Sequence, residues 1–230
     1  MTPFRPCATP GTRPPRLLPV PAVALWSDQA VHVPPLRLGP EGIYSTGPEN
    51  RDADGLLWPQ VLGPETGEPL YAVMDPLKQR RAMEEFRCQV GLGPATLTAL
   101  GVLWVLPLPR DTDEDPPRDW KKGVVTTEPP VCLAHARVSV RKCPRLKEGY
   151  EAFFVQEAEL YAVKGTFYPP PPIGARPYRT ARRLDDPDAR LMVADRLARR
   201  LRKATPVDLY DLHLTRHAGP CNRPLREKTN

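Results

Sequence analysis

The sequence predicts an α+β protein made of small antiparallel sheets, with a cysteine and histidine knuckle near its middle and a basic helix towards its C-terminus. Three observations carry this. Thirty-two prolines in 230 residues are close to three times the usual share of roughly 5%. Proline fixes φ and removes a backbone donor, so the elements between prolines must be short. Brief β-branched runs separated by turn residues dominate the first third. Against that background, Asp75-Pro76 and Asp186-Pro187 are helix starts, because Asp accepts from free amides and proline at the first helical position loses nothing.

Taken in order, residues 1–19 form a proline-rich arm carrying Arg5, Arg13 and Arg16, with almost nothing to bury, and are expected to be disordered. Val20 to Val33 is two apolar runs around Ser27-Asp28-Gln29, which suggests a hairpin. Leu36 to Tyr44, Leu56 to Leu62 and Tyr71 to Met74 are further strand candidates, divided by loops at 47–55 and 63–69. A helix follows over Leu77 to Arg87, with Met83, Phe86 and Val90 on one face.

Gly101 to Leu106 is the most apolar run and reads as a buried strand that Pro107 ends. An acidic loop covers 109–127. A second helix spans Val131 to Lys142, with Leu133, Ala136 and Val140 on a stripe and Pro144 as its stop. Tyr150 to Val155 and Leu160 to Phe167 read as two strands. The last helix begins at Asp186, and Leu191, Ala194, Leu197, Ala198 and Leu201 form its stripe; Val207 to His217 reads as a further short helical stretch. The expected organisation is an arm (1–19), a core (20–168) holding the knuckle at 78–147, a Pro/Arg linker (169–183), a helical segment (184–218) and a tail (219–230).

The net charge of +6 implies polyanionic partners. An odd number of cysteines and no apolar leader imply reduced thiols in a cytoplasm. No run approaches the roughly 18 apolar residues of a membrane helix, so no membrane partner is expected. Arginine outnumbers lysine in a Pro-, Ala- and Leu-rich background, the signature of a high-GC bacterial coding sequence.

Zinc takes four thiolate or imidazole ligands, commonly as two pairs each held by a tight turn or the first turn of a helix. Cys132 and His135 have that spacing at a helix start. Cys88-Gln89-Val90-Gly91 has the turn, but glycine stands where a second ligand would be. Cys143 lies eleven residues beyond Cys132, about 16 Å along a helix, too far for the same ion. The candidate metal ligands are therefore Cys88, Cys132 and His135, with structural zinc as the expected ion. The other reading is a metal-free cluster packed with Leu92, Val131 and Leu133.

The runs RRAMEEFRCQVG, GVLWVLPLP and PPVCLAHARVSVRKCPRL resemble a treble-clef or HNH-type zinc module of small actinomycete proteins carried on integrative plasmids and prophages. The family pattern is RCQVCG followed by PPVCxxCxxxSxxxCPxL, and the resemblance covers about residues 78–147. It implies a treble-clef-like knuckle, degenerate at Gly91, with His135 in place of a cysteine. It also implies a replication or maintenance regulator of a mobile element, similar to the replication activator of Streptomyces integrative plasmids.

An HNH nuclease needs a general-base histidine on the strand before the metal helix, and residues 124–131 contain none, so a degenerate nuclease is the least supported reading. No other constellation suits a small-molecule substrate. His213, His217 and Cys221 share a four-residue spacing, but Gly219-Pro220 breaks the helix between them, and solvated histidines are the plainer reading. The basic segment 176–203 offers Arg182, Arg183, Arg196, Arg199, Arg200, Arg202 and Lys203 as candidate nucleic-acid contacts; the alternative is a solvated face complementing a helix dipole. The expected function is a non-enzymatic, DNA-associated regulator of a mobile element, and the alternative is a protein-protein adaptor.

Overall fold

The computed structural model describes residues 20–40, 42–47, 51–110, 118, 122–170 and 176–212. The arm over 1–19, most of the acidic loop, and His213, His217 and Cys221 lie outside these residues. Among the described residues the elements are β1 (Ala24–Trp26), β2 (Ala30–His32), β3 (Leu36–Gly39), β4 (Gly42–Ser45), β5 (Gln60–Leu62), β6 (Pro69–Met74), α1 (Pro76–Glu84), β7 (Leu97–Thr98), β8 (Gly101–Pro107), β9 (Val124–Thr126), α2 (Leu133–Lys142), α3 (Pro144–Lys147), β10 (Tyr150–Phe167), β11 (Tyr178–Arg183), a 3-10 turn (Pro187–Leu191) and β12 (Met192–Pro206). The class is mixed, with antiparallel sheets and few helices, as the sequence predicts.

The centre is a six-stranded antiparallel sheet in the order β7-β8-β10-β12-β9, with β11 also on β10. Strand β8 is buried on both faces, since successive side chains point to opposite sides of a sheet. Leu103 and Val105 pack with Cys88, Val131, Ala136, Val140, Ala152 and Phe154 under α2. Trp104 and Leu106 pack with Val124, Phe153, Val155 and Leu201 on the other face. This explains why β8 reads as one unbroken apolar run. Gly101 begins it at φ +110, where a side chain would run into the Val155 carbonyl.

Several expectations change. The two strands expected at 150–155 and 160–167 are one strand, β10, whose middle residues Glu157 and Glu159 oppose Arg202 and Arg200 across the ladder. The basic C-terminal helix is a strand. Its predicted cap does form, with Asp186 accepting from the Asp188 amide at 2.9 Å, but only a 3-10 turn follows before β12 enters the sheet. The misreading has a physical source. Asp195 is an extra residue on β12 opposite the Lys164–Gly165 step, and the strand is buried on both faces, at Met192, Val193, Ala194, Leu197, Ala198, Arg199 and Leu201. With both faces buried and the bulge putting three positions between Ala194 and Leu197, the apolar series Leu191, Ala194, Leu197, Ala198 and Leu201 imitates a helical stripe.

Residues 178–183, expected as linker, form β11, and 207–212 is an irregular segment, not a helix. Strands β1 and β2 turn at Ser27 to Gln29 as predicted but do not pair with each other; β1 pairs with β6 and β2 with β5. Pro144 ends α2 and starts α3.

Helix α1 bears out the prediction at its start, where Asp75 accepts from Leu77 and Lys78 at 2.9 and 3.1 Å. It lies on β12 through Gln79, which is fully buried. The Gln79 amide donates to the carbonyls of Thr127 and Leu197 at 2.7 and 2.8 Å and accepts from the Leu197 amide at 2.9 Å. Strand β9 pairs with β12 only at 199–201, so Gln79 continues the ladder where β9 has ended. Because these groups cannot reach water, Gln79→Ala should lower unfolding stability by about 2–4 kcal/mol in a urea titration. Gln79→Glu should cost at least as much, as a carboxylate cannot donate to the two carbonyls. Stability at the wild-type level in both variants would contradict this assignment.

Candidate metal centre

The Cys88 loop is a short turn closed by backbone bonds; among the described residues a treble-clef knuckle is not shown. The Cys88 amide donates to the Gly93 carbonyl and the Leu92 amide to the Cys88 carbonyl, both at 2.8 Å, and Ala95 returns to Phe86 at 3.0 Å. Leu92 sits at φ +52, a left-handed conformation that costs a non-glycine residue about 1–2 kcal/mol. The loop is tied to its surroundings by Gln89 donating to Pro130 at 3.0 Å, and by Ala22 and Val23 donating to Val90 and Gln89.

The second half follows β9 and is hydrogen-bonded to β8. The Val131 amide donates to Leu103 and the Thr96 amide to Val131, which sets Cys132 as the N-cap of α2. Thr96 supplies the cap hydrogen bond through its hydroxyl, accepting from the Leu133 amide at 2.8 Å. That leaves the Cys132 sulfur turned towards the knuckle. His135, one turn into the helix, follows on the same side.

The three predicted ligands do converge. Cys88 is 1% exposed. Its sulfur lies 3.4 Å from His135 Nδ1, and the Cys132 sulfur lies 3.2 Å from the same nitrogen. All three donor atoms lie within 4.8 Å of one another. Zinc bonds of about 2.3 Å to sulfur and 2.0–2.1 Å to nitrogen, at tetrahedral angles, place sulfur and nitrogen about 3.6 Å apart. The group could therefore hold a metal ion after small adjustments. Cys143 caps the far end of α2 and takes no part.

The electrostatics favour one thiolate in the pair. A hydrogen bond from the Cys132 thiol holds the Cys88 thiol well below its ordinary pKa against the effect of burial, helped by the amides of Cys132, Gly91 and Val90. The same hydrogen bond, with burial, pushes Cys132 up, although the amides of His135 and Ala134 oppose it. Those two amides face the sulfur without completing a cap hydrogen bond.

Gly91 is an exposed residue against the imidazole. A Cβ built there would lie 2.6 Å from His135 Cε1 and 3.2 Å from Nδ1. Position 91, which lacks the ligand that the spacing calls for, therefore borders the His135 ring.

The candidate nucleic-acid residues meet a different fate: Arg182 and Arg183 lie on β11, and β12 distributes the other five over two faces. Arg199 is 5% exposed. Its Nε donates to the Met83 carbonyl at 2.8 Å and Nη2 to Glu84 at 3.2 Å, its Nη1 donates to the Ala158 carbonyl, and the guanidinium lies 4.0 Å from the Phe86 ring centre. It caps the C-terminal end of α1, where the helix dipole favours a cation, and burial lowers its pKa to about 10.

Arg200 pairs with Glu159 and covers Tyr161. Arg202 lies 3.9 Å from Glu159, and Lys203 pairs with Glu157. Arg183 pairs with Asp185, while Arg182 lies over Phe167 and 3.8 Å from Asp186. Arg196 is half-buried and has no acidic partner among the described residues. The expected basic face is thus largely a charge ladder between neighbouring strands.

Sequence reasoning missed Arg137, whose guanidinium donates to the carbonyls of Leu209 and Leu212 at 2.7 Å each. It ties the segment after β12 over the knuckle, where Leu209 is fully buried. Thr96 was also missed, as was the left-handed backbone of Leu92. Leu92→Gly should raise unfolding stability by about 1 kcal/mol, since glycine adopts the left-handed backbone freely; a loss of stability would show that Leu92 packing outweighs the strain. No helix among the described residues is long and apolar enough to cross a membrane. Compared with protein-family models, curated proteins and solved structures, the chain matches none.

Proposed function

We propose that the chain is a non-enzymatic, zinc-stapled regulator of a bacterial mobile element that contacts DNA through its terminal segments. The observation that carries the zinc part is the convergence of Cys88, Cys132 and His135 between a knuckle and a helix start, the two-sided hold usual for structural zinc. The regulatory part rests on the resemblance of residues 78–147 to modules of mobile-element proteins.

The DNA part rests on where the charge is. Arg5, Arg13 and Arg16, together with Arg216, Arg223, Arg226 and Lys228 less Glu227, account for the whole net charge of +6. Residues 20–212 carry equal numbers of acidic and basic side chains, and most of the β12 cations already face carboxylates. Sequence-independent phosphate binding needs only such cations, with affinity falling as salt displaces them.

A second reading, an adaptor that binds protein and no nucleic acid, is favoured by β6. Its Leu70, Tyr71 and Val73 are exposed at 37%, 63% and 41%, and among the described residues the strand pairs only with β1, which suits strand addition by a partner.

Binding to duplex DNA, measured by fluorescence anisotropy across a salt series, separates the two. The regulator reading expects binding that weakens steeply with salt. Replacing Arg5, Arg13, Arg16, Arg216, Arg223 and Arg226 by Ala should flatten the slope by about 0.9 for each phosphate that is no longer neutralised, whereas Arg200→Ala with Arg202→Ala should change affinity by less than about threefold. Absence of binding at low salt would leave the adaptor reading.

A further inference from the structure

The reading of this centre as a zinc site leaves one coordination position to assign. Zinc in a closed structural site takes four protein ligands. Among the described residues the group contains three, and no fourth histidine, cysteine, aspartate or glutamate joins it. The position that would supply a fourth is 91. There the missing side chain and the His135 ring compete for the same space, since a Cβ would stand 2.6 Å from Cε1. Glycine at 91 is therefore a condition for an imidazole at 135, and the two positions work as a pair. Gly91 is also exposed, so solvent reaches this corner while Cys88 stays buried.

We propose that the ion held by Cys88, Cys132 and His135 keeps its fourth position open to solvent beside Gly91, and exchanges a bound water there for a small monodentate nitrogen or sulfur donor. The inference rests on the zinc reading given above. Two thiolates and a neutral imidazole balance the charge of a divalent ion, so the water is acidified less than on a cationic centre. Ligand exchange, rather than hydrolysis, is the chemistry that such a centre supports. A free imidazole or an alkyl thiol has the size and donor type for it.

The test uses the full-length protein loaded with Co²⁺ as a spectroscopic substitute for zinc. One equivalent should bind with thiolate-to-cobalt charge-transfer absorption and the visible bands of a four-coordinate ion. Adding imidazole should then shift the visible bands in a saturable way. Gly91→Ala should weaken Co²⁺ binding at least about tenfold by displacing the His135 ring, and adding His135→Cys to it should recover most of the deficit, because the smaller side chain clears the new methyl. Bands unmoved by imidazole would overturn the open position while leaving a metal site in place. Failure to bind Co²⁺ would overturn both this inference and the zinc reading. Wild-type affinity in Gly91→Ala would overturn the pairing of positions 91 and 135.

Discussion

The constraint on which most of this structure depends is the anchoring of two chain segments to strand β8. Its Leu103 carbonyl takes the Val131 amide, and its Leu103 and Val105 side chains form the floor on which Cys88, Val131 and Ala136 pack. Those contacts put the N-terminus of α2 opposite the Cys88 knuckle, although more than forty residues separate them in sequence. Closing so long a loop costs only slowly growing entropy, and the burial of β8 on both faces offsets it. The approach of the ligands follows from packing, and an ion would reinforce a geometry that the core already sets.

The three grouped metal-ligand candidates, the start of α1, the start of α2 and the buried strand β8 were all legible in the sequence, because each has a local cause: a cap, a proline, a ligand spacing or an apolar run. The long-range features were not. The bulge at Asp195 gave β12 a helical-looking spacing, and nothing local announces that a glutamine, Gln79, will finish a ladder between Thr127 and Leu197. Arg199 looked like one member of a basic row because its neighbours Arg196, Arg200 and Arg202 share its charge. Its burial against Phe86 and the end of α1 depends on residues more than a hundred positions away in sequence. Gly91 was legible as a missing ligand, but its fit against the His135 ring emerges only in three dimensions.

Charge shows the same division between local and global causes. A helix would have gathered the β12 cations on one side. The strand sets Arg200 and Arg202 opposite Glu159 and Glu157, where exposed pairs contribute little to stability but consume the positive surface. The surplus positive charge lies in the terminal segments. A neutral, folded body between basic ends suits a protein that is held near a polyanion while its body meets something else, and the exposed β6 is one such surface.

A metal centre built on Cys88, Cys132 and His135 would have a direct spectroscopic signature. X-ray absorption at the zinc edge of the purified full-length protein should give a first shell of two sulfurs at about 2.3 Å and two nitrogen or oxygen atoms at about 2.0–2.1 Å, with imidazole scattering from one ring. A protein without zinc, or a shell of four sulfurs, would contradict it.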